Sequence, residues 1–174
     1  MRKIGWSLRL GAALAEVLCT TSPAFAGPSE RCDTESLQAM APPGATVAFA
    51  SPEGGGGYCH VVGYVTTQNP GPNKVLFTIG LPDNFNGRYV FLGVGGAAGN
   101  IPPMRPALLA RGYALAGTDA GTGAKNLSDF TFRSNPAREA DFMGRGVHVS
   151  AQATQHIVTA YYARSTPIHR YISG

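Results

Sequence analysis

Lysine is scarce in this sequence: beyond residue 26 only Lys74 and Lys125 occur, and no basic cluster follows Ala26. A protein that grips nucleic acid or an anionic membrane surface gathers cations on one face, so neither partner is expected. The apolar stretch Leu10–Leu18 is too short to cross a bilayer as a helix, which takes ~20 residues. Cysteine is also rare, with 3 in 174 residues, and no second Cys/His pair stands at metal-ligand spacing, so a zinc site is not expected. What the chain has instead is 23 glycines and 13 prolines, a composition of many turns and few long helices.

Residues 1–26 have the order of an export signal. Arg2 and Lys3 precede the apolar stretch, and Ala24-Phe25-Ala26 has the small-x-small form of a signal-peptidase site. Cleavage after Ala26 removes three cations and one anion (Glu16), which leaves +2 of the formal net charge of +4. It leaves residues 27–174 as one domain, with a secreted or periplasmic destination. Two cysteines remain, Cys32 and Cys59. An even count in an oxidising compartment reads as a disulfide, worth roughly 3 kcal/mol in the chain-entropy model.

Residues 27–57 read as loop-rich, ending in a run of four glycines, Gly54–Gly57. Strands are expected at Tyr58–Thr66, Lys74–Gly80, Arg88–Leu92 and Tyr113–Gly117, each β-branched or aromatic and bounded by turn residues. Arg88–Leu92 is continuously apolar in its middle, which suits a central strand. A glycine-rich loop, Gly93–Asn100, comes next. A short helix, Ala107–Arg111, is closed by Gly112. Thr118–Arg133 reads as polar and irregular. Asn135-Pro136 opens the longest helix, with Pro136 at its first position and Glu139 and Asp141 in its first turn. Phe142, Val149, Ala153, Ile157 and Ala160 fall on one expected buried face. A last strand, His169–Ser173, leads to Gly174. The alternation implies an α/β fold with a mixed sheet, antiparallel at its start and then parallel strands with helices.

Two features bracket a candidate site: the Gly93–Asn100 loop after a central strand, and the strand that runs into Gly174. In an α/β-hydrolase the nucleophile sits on a strand-to-helix turn, G-x-S-x-G, and an earlier glycine-rich loop supplies a second backbone N–H to the oxyanion hole. Glycine suits that loop because bare backbone must approach the tetrahedral intermediate. G-x-S-x-G occurs nowhere in these residues, and Gly174 is placed to be its first glycine. The rest of the chain supplies no catalytic residue. Asp119 precedes the slot of the acid in Ser…Asp…His order, so a structural role accepting loop N–H groups is expected of it. Ser173 reads as a small core residue. His148 and His156 are too far apart to share a metal, and His148 reads as a packed helix residue. Gly93-Val94-Gly95-Gly96-Ala97-Ala98 also fits the dinucleotide fingerprint G-x-G-x-x-A, with Asp119 after a second strand as the ribose-binding acid. That reading needs a helix starting within the glycines, where Pro102, Pro103 and Pro106 stand against it.

From Cys32 to Gly174 the chain resembles the tannase and feruloyl esterase family. The stretches that carry the resemblance are YCHVVGYV from Tyr58, GLPDNFNGR from Gly80, the glycine loop, RGYALAGTDAG from Arg111, and Asn135–Tyr162 with Asp141-Phe142, Arg145, Val147-His148 and Tyr161-Tyr162, followed by Tyr171-Ile172-Ser173-Gly174. The resemblance implies the N-terminal part of an α/β-hydrolase that stops before the nucleophile elbow, with Cys-Ser-x-Gly-Gly directly after Gly174. The acid, the histidine and a calcium-binding lid would come beyond it, so no cofactor is expected within these residues. It implies a secreted serine-type carboxylic ester hydrolase acting on a small-molecule or plant-polymer phenolic ester, feruloyl or galloyl, with the 174-residue chain itself inactive. Gly95 and Gly96 are the oxyanion-hole candidates. Two departures touch them: Val94 interrupts the glycine run, and Ala97 stands where the family carries a bulky residue. A non-catalytic secreted binding domain of the same fold is the alternative, and a dinucleotide-binding oxidoreductase a more distant one.

Overall fold

The structure, a computed structural model, describes residues 31–163 and 169–173. The expected export signal and Gly174 lie outside the described residues. After helix α1 (Thr34–Ala39) come β1 (Ala45–Glu53), β2 (Tyr58–Thr67), β3 (Asn73–Pro82) and β4 (Arg88–Leu92). Next along the chain are α2 (Pro106–Ala110), β5 (Tyr113–Thr118), α3 (Pro136–Ala140), α4 (Gly146–Tyr161) and β6 (His169–Ser173). One six-stranded sheet runs in the order β1-β2-β3-β5-β4-β6. The pairs β1/β2, β2/β3 and β3/β5 are antiparallel, and β5/β4 and β4/β6 are parallel. The mixed sheet is as the sequence implies, and Arg88–Leu92 is an interior strand, paired on both sides, though next to the last strand of the described sheet.

β2 shows why the pattern is readable. Its residues alternate strictly between half-exposed and buried, because one face of the strand meets the core and the other does not. Cys59, Val61 and Val65 point into a core shared with Leu37 of α1, Phe77 and Ile79 of β3, Phe91 of β4, and Ala153, Ile157, Val158 and Tyr161 of α4. The opposite face of β3 and β5 is crossed by residues 101–110 and carries α2. Cys32 and Cys59 are bonded, with Cα atoms 5.6 Å apart, which ties the segment before α1 to the start of β2.

Two regions depart from the sequence reading. Residues 27–57 are not simply loop-rich: α1 and the nine-residue β1 lie within them. Asp33 caps α1, its carboxylate accepting the Ser36 N–H at 2.8 Å. The expected longest helix is also interrupted. Asn135 caps α3 as its sequence predicts, accepting from Ala137 and Arg138 N–H, but Asp141–Arg145 then form a wide π turn in which Gly144 takes φ +127°. That turn shifts the helical phase of α4. The buried face of α4 is Gly146, Ser150, Ala153, Thr154, Ile157, Val158 and Tyr161. Val149 and Ala160 are only half-buried, and Phe142 joins a separate cluster with Phe132, Ala97 and Ala124. Ser150 and Thr154 can face inward because their hydroxyls donate to carbonyls one turn back, at 2.8 and 2.7 Å. They also hydrogen-bond Thr118 and Tyr89.

Candidate active site at the C-terminal edge of the sheet

β4, β5 and β6 point the same way, so the segments that leave their C-terminal ends meet at one edge of the sheet. In open α/β sheets ligands bind at this edge. Leu92, the last residue of β4, pairs with Ser173, so β6 ends level with the start of the glycine loop. Gly174, the next residue in the chain, lies outside the described residues.

The loop is held from its inner side. Ala97 and Ala98 are buried, and Ala97 packs with Ala124 and Phe132. The Ala97 N–H donates to Leu127 O at 2.8 Å, Ala98 N–H to Gly95 O at 3.2 Å, and Gly99 N–H to Asp119 O at 3.0 Å. Gly95 and Gly96 are exposed, and neither N–H has a hydrogen-bond partner among the described residues. Gly96 has φ +61°, and a Cβ there would sit 2.5 Å from Leu127 O. A Cβ on Gly95 would meet nothing within 4 Å. The loop thus presents two adjacent free donors on backbone whose shape is set from beneath. The first helix after β4 begins only at Pro106, so no helix N-terminus meets the glycines as the dinucleotide fingerprint requires.

Asp119 sits directly behind this loop, 5 % exposed. Its carboxylate accepts the Leu76 N–H at 2.9 Å and the Gly121 N–H at 2.8 Å, while its carbonyl receives Gly99. Burial pushes its carboxyl above the ordinary value, against the Gly121 and Leu76 N–H groups that hold it down. It joins β3, β5 and the glycine loop, and has the structural role its sequence position implies. His148 and His156 are exposed on α4 and do not meet the loop; the packed position expected of His148 is not observed. Cys32 and Cys59 serve the fold.

Sequence reading missed a second anchor. Asp141 is fully buried and is not a first-turn acid of the long helix. It receives Thr67 Oγ1 at 2.8 Å, Asn73 Nδ2 at 2.7 Å and Arg145 Nε at 2.5 Å. Arg145 also donates to the carbonyls of Gln68, Pro70 and Ala137. Asn73 Nδ2 reaches Gly121 O at 2.8 Å, which links this pair to the loop that Asp119 holds. Among the described residues no group of three or more His, Cys, Asp or Glu is placed to hold a metal ion.

Comparison with known proteins agrees with this architecture. The family model described as tannase and feruloyl esterase matches residues 59–174. An uncharacterized esterase of Agrobacterium fabrum is 25% identical over 169 residues, covering 90% of this chain and 30% of the relative. A probable feruloyl esterase B-2 of Aspergillus flavus is 33% identical over 105 residues, 60% of this chain and 19% of the relative. Among solved structures, feruloyl esterase B from Aspergillus oryzae superposes with a TM-score of 0.60 at 21% identity, over 78% of this chain and 31% of that one. Tannin acyl hydrolase from Aspergillus niger gives 0.63 at 19%, over 84% and 32%. These two likenesses establish the fold, and the chain spans less than a third of the length of each of these relatives. With the family model matching well over half of its residues, the chain belongs to the tannase and feruloyl esterase family.

Proposed function

We propose that the protein carrying these residues is an exported serine-type carboxylic ester hydrolase that cleaves phenolic esters of the feruloyl or galloyl kind. The observation that carries the reading is the pair of partnerless, exposed amides at Gly95 and Gly96, on the edge where β6 ends level with Leu92. The family supplies the reaction class. On this reading a serine just after Gly174 attacks the ester carbonyl, and the carbonyl π electrons move onto oxygen. The Gly95 and Gly96 N–H groups donate to that oxyanion, together with the N–H of the residue after the serine. Collapse expels the alcohol and leaves an acyl-enzyme, which water then hydrolyses. Residues beyond Gly174 supply the histidine and the acid, and the lid with any calcium it binds.

The full-length protein is expected to hydrolyse methyl ferulate or methyl gallate and to lose that activity on labelling with a serine-directed fluorophosphonate. The 174 residues alone are expected to do neither, because G-x-S-x-G is absent from them. A full-length protein that binds these esters without turnover would favour the non-catalytic binding domain. Export is tested on the same material. Protein from a secreting host is expected to begin at Gly27 by intact mass and to show neither Cys32 nor Cys59 titratable when unreduced and denatured. Retention of Met1, or two free thiols, would contradict it.

A further inference from the structure

The face of the sheet opposite α4 carries an open cavity of about 400 Å³ between β2, β3 and the segment that descends from the glycine loop. One wall is polar. Glu53 Oε1 lies 2.7 Å from His60 Nδ1, and Glu53 Oε2 accepts the Tyr58 hydroxyl at 2.8 Å. His60 Nε2 lies 2.9 Å from Thr78 Oγ1, which donates to Val61 O at 3.0 Å. Val62 continues the strand wall beside His60, and the facing wall is apolar: Ile101, Pro102, Pro103 and Met104.

The polar cluster of this cavity is set back from the candidate active site. Phe77 of β3 pairs with Thr118 at the C-terminal end of β5, whereas Gly80, beside His60, pairs with Leu115. His60 therefore lies about 10 Å from that end of β5 at ~3.3 Å per residue, while Val62 and Thr78 of the same cavity lie level with Gly117, one residue from it. β2 is also four strands from β6, roughly 19 Å at ~4.8 Å per strand.

The chemistry of the walls selects a ligand. The Tyr58 hydroxyl proton and both ring nitrogens of His60 are engaged within the cluster. The groups still open toward the cavity are acceptor lone pairs, on the 41 % exposed Glu53 carboxylate and on the Tyr58 oxygen. The His60 and Tyr58 hydrogen bonds hold the Glu53 carboxyl below its ordinary value, so it stays ionised at neutral pH. The ligand must bring hydrogen-bond donors on one edge only and be apolar elsewhere. A sugar, with hydroxyls around its whole rim, would leave several unpaired against Ile101, Pro102, Pro103 and Met104. A flat ring with adjacent hydroxyls meets both walls.

We propose that this cavity is a second, non-catalytic binding site for a small aromatic ring bearing vicinal hydroxyl groups, with Glu53 and Tyr58 accepting from the hydroxyls and residues 101–104 covering the ring. Binding here does not depend on ester hydrolysis.

The test uses the full-length protein with catechol, 1,2-dimethoxybenzene (the same ring without O–H donors) and methyl glucoside. Calorimetry measures binding, and the labelled Met104 methyl resonance reports occupancy. Catechol is expected to bind and to move the Met104 signal; the dimethoxy compound and the glucoside are not. Glu53→Gln is expected to weaken the Met104-linked catechol binding by at least about 5-fold, with melting temperature and ester turnover unchanged. A Met104 signal indifferent to catechol, catechol binding unaffected by Glu53→Gln, or a glucoside that moves Met104 where catechol does not would each overturn the proposal.

Discussion

Gly96→Val in the full-length protein is expected to lower ester turnover by about 10²-fold or more and to lower the melting temperature with it. The loss of turnover follows from the proposed oxyanion role, since a side chain at Gly96 takes the room of the oxyanion. The structure adds a cost to the fold. Gly96 has φ +61°, a conformation that costs an L-residue roughly 1–2 kcal/mol, and valine more because of its branched Cβ. A Cβ there would also press on Leu127 O at 2.5 Å and Leu127 Cβ at 2.9 Å. The Ala97 N–H bond to Leu127 O would move with it, and that bond orients the two free amides. Turnover and melting measured on one preparation check the claim. Unchanged values for both would mean that the loop neither binds the oxyanion nor has the shape described.

Asp141→Ala is expected to have the largest effect on stability. The carboxylate is fully buried and receives Thr67, Asn73 and Arg145. Removing it strands three donors and leaves the guanidinium of Arg145 without its counter-charge. Breaking a buried pair by deleting one partner costs about 3–5 kcal/mol, and the 23 % exposure of the Arg145 side chain places this case toward the lower figure. Against a total stability of about 5–15 kcal/mol that is a large share. A useful contrast is Asp33→Ala, which removes the cap of α1 and is expected to cost about 1 kcal/mol. Chemical denaturation of both variants would test the order. An Asp141→Ala penalty no larger than that of Asp33→Ala would show that the buried network contributes little.

The strands were legible where burial alternates or is continuous. β2 alternates and β4 is an apolar run in its middle; a glycine precedes each, and Gly93 closes β4. β1 was not, because a register shift between Val47 and Phe49 and the Ser51-Pro52 pair break the alternation. α1 has a single buried side chain, Leu37, so periodicity could not reveal it; the Asp33 cap was the available signal. The turn at Asp141–Arg145 was hidden because nothing local announces that Gly144 will take φ +127°. The loop that carries the candidate site was visible as a run of glycines. Of its anchors, Asp119 was expected to accept loop N–H groups, whereas Leu127 was not foreseen, because it approaches the loop from a distant part of the chain. Glu53 is likewise seven residues from His60, and only the pairing of β1 with β2 brings them together.

If the exposed amides of Gly95 and Gly96 are the oxyanion donors, Gly95→Val tests that role most directly. A Cβ at this position meets nothing within 4 Å, so the fold has room for the change while the approach to both amides does not. The measurement is kcat for methyl ferulate and methyl gallate in the full-length protein and this variant, with melting temperature recorded on the same samples. The expected result is a fall of about 10²-fold or more at an unchanged melting temperature. Undiminished turnover in the variant would place the oxyanion hole elsewhere and contradict the role given to these amides.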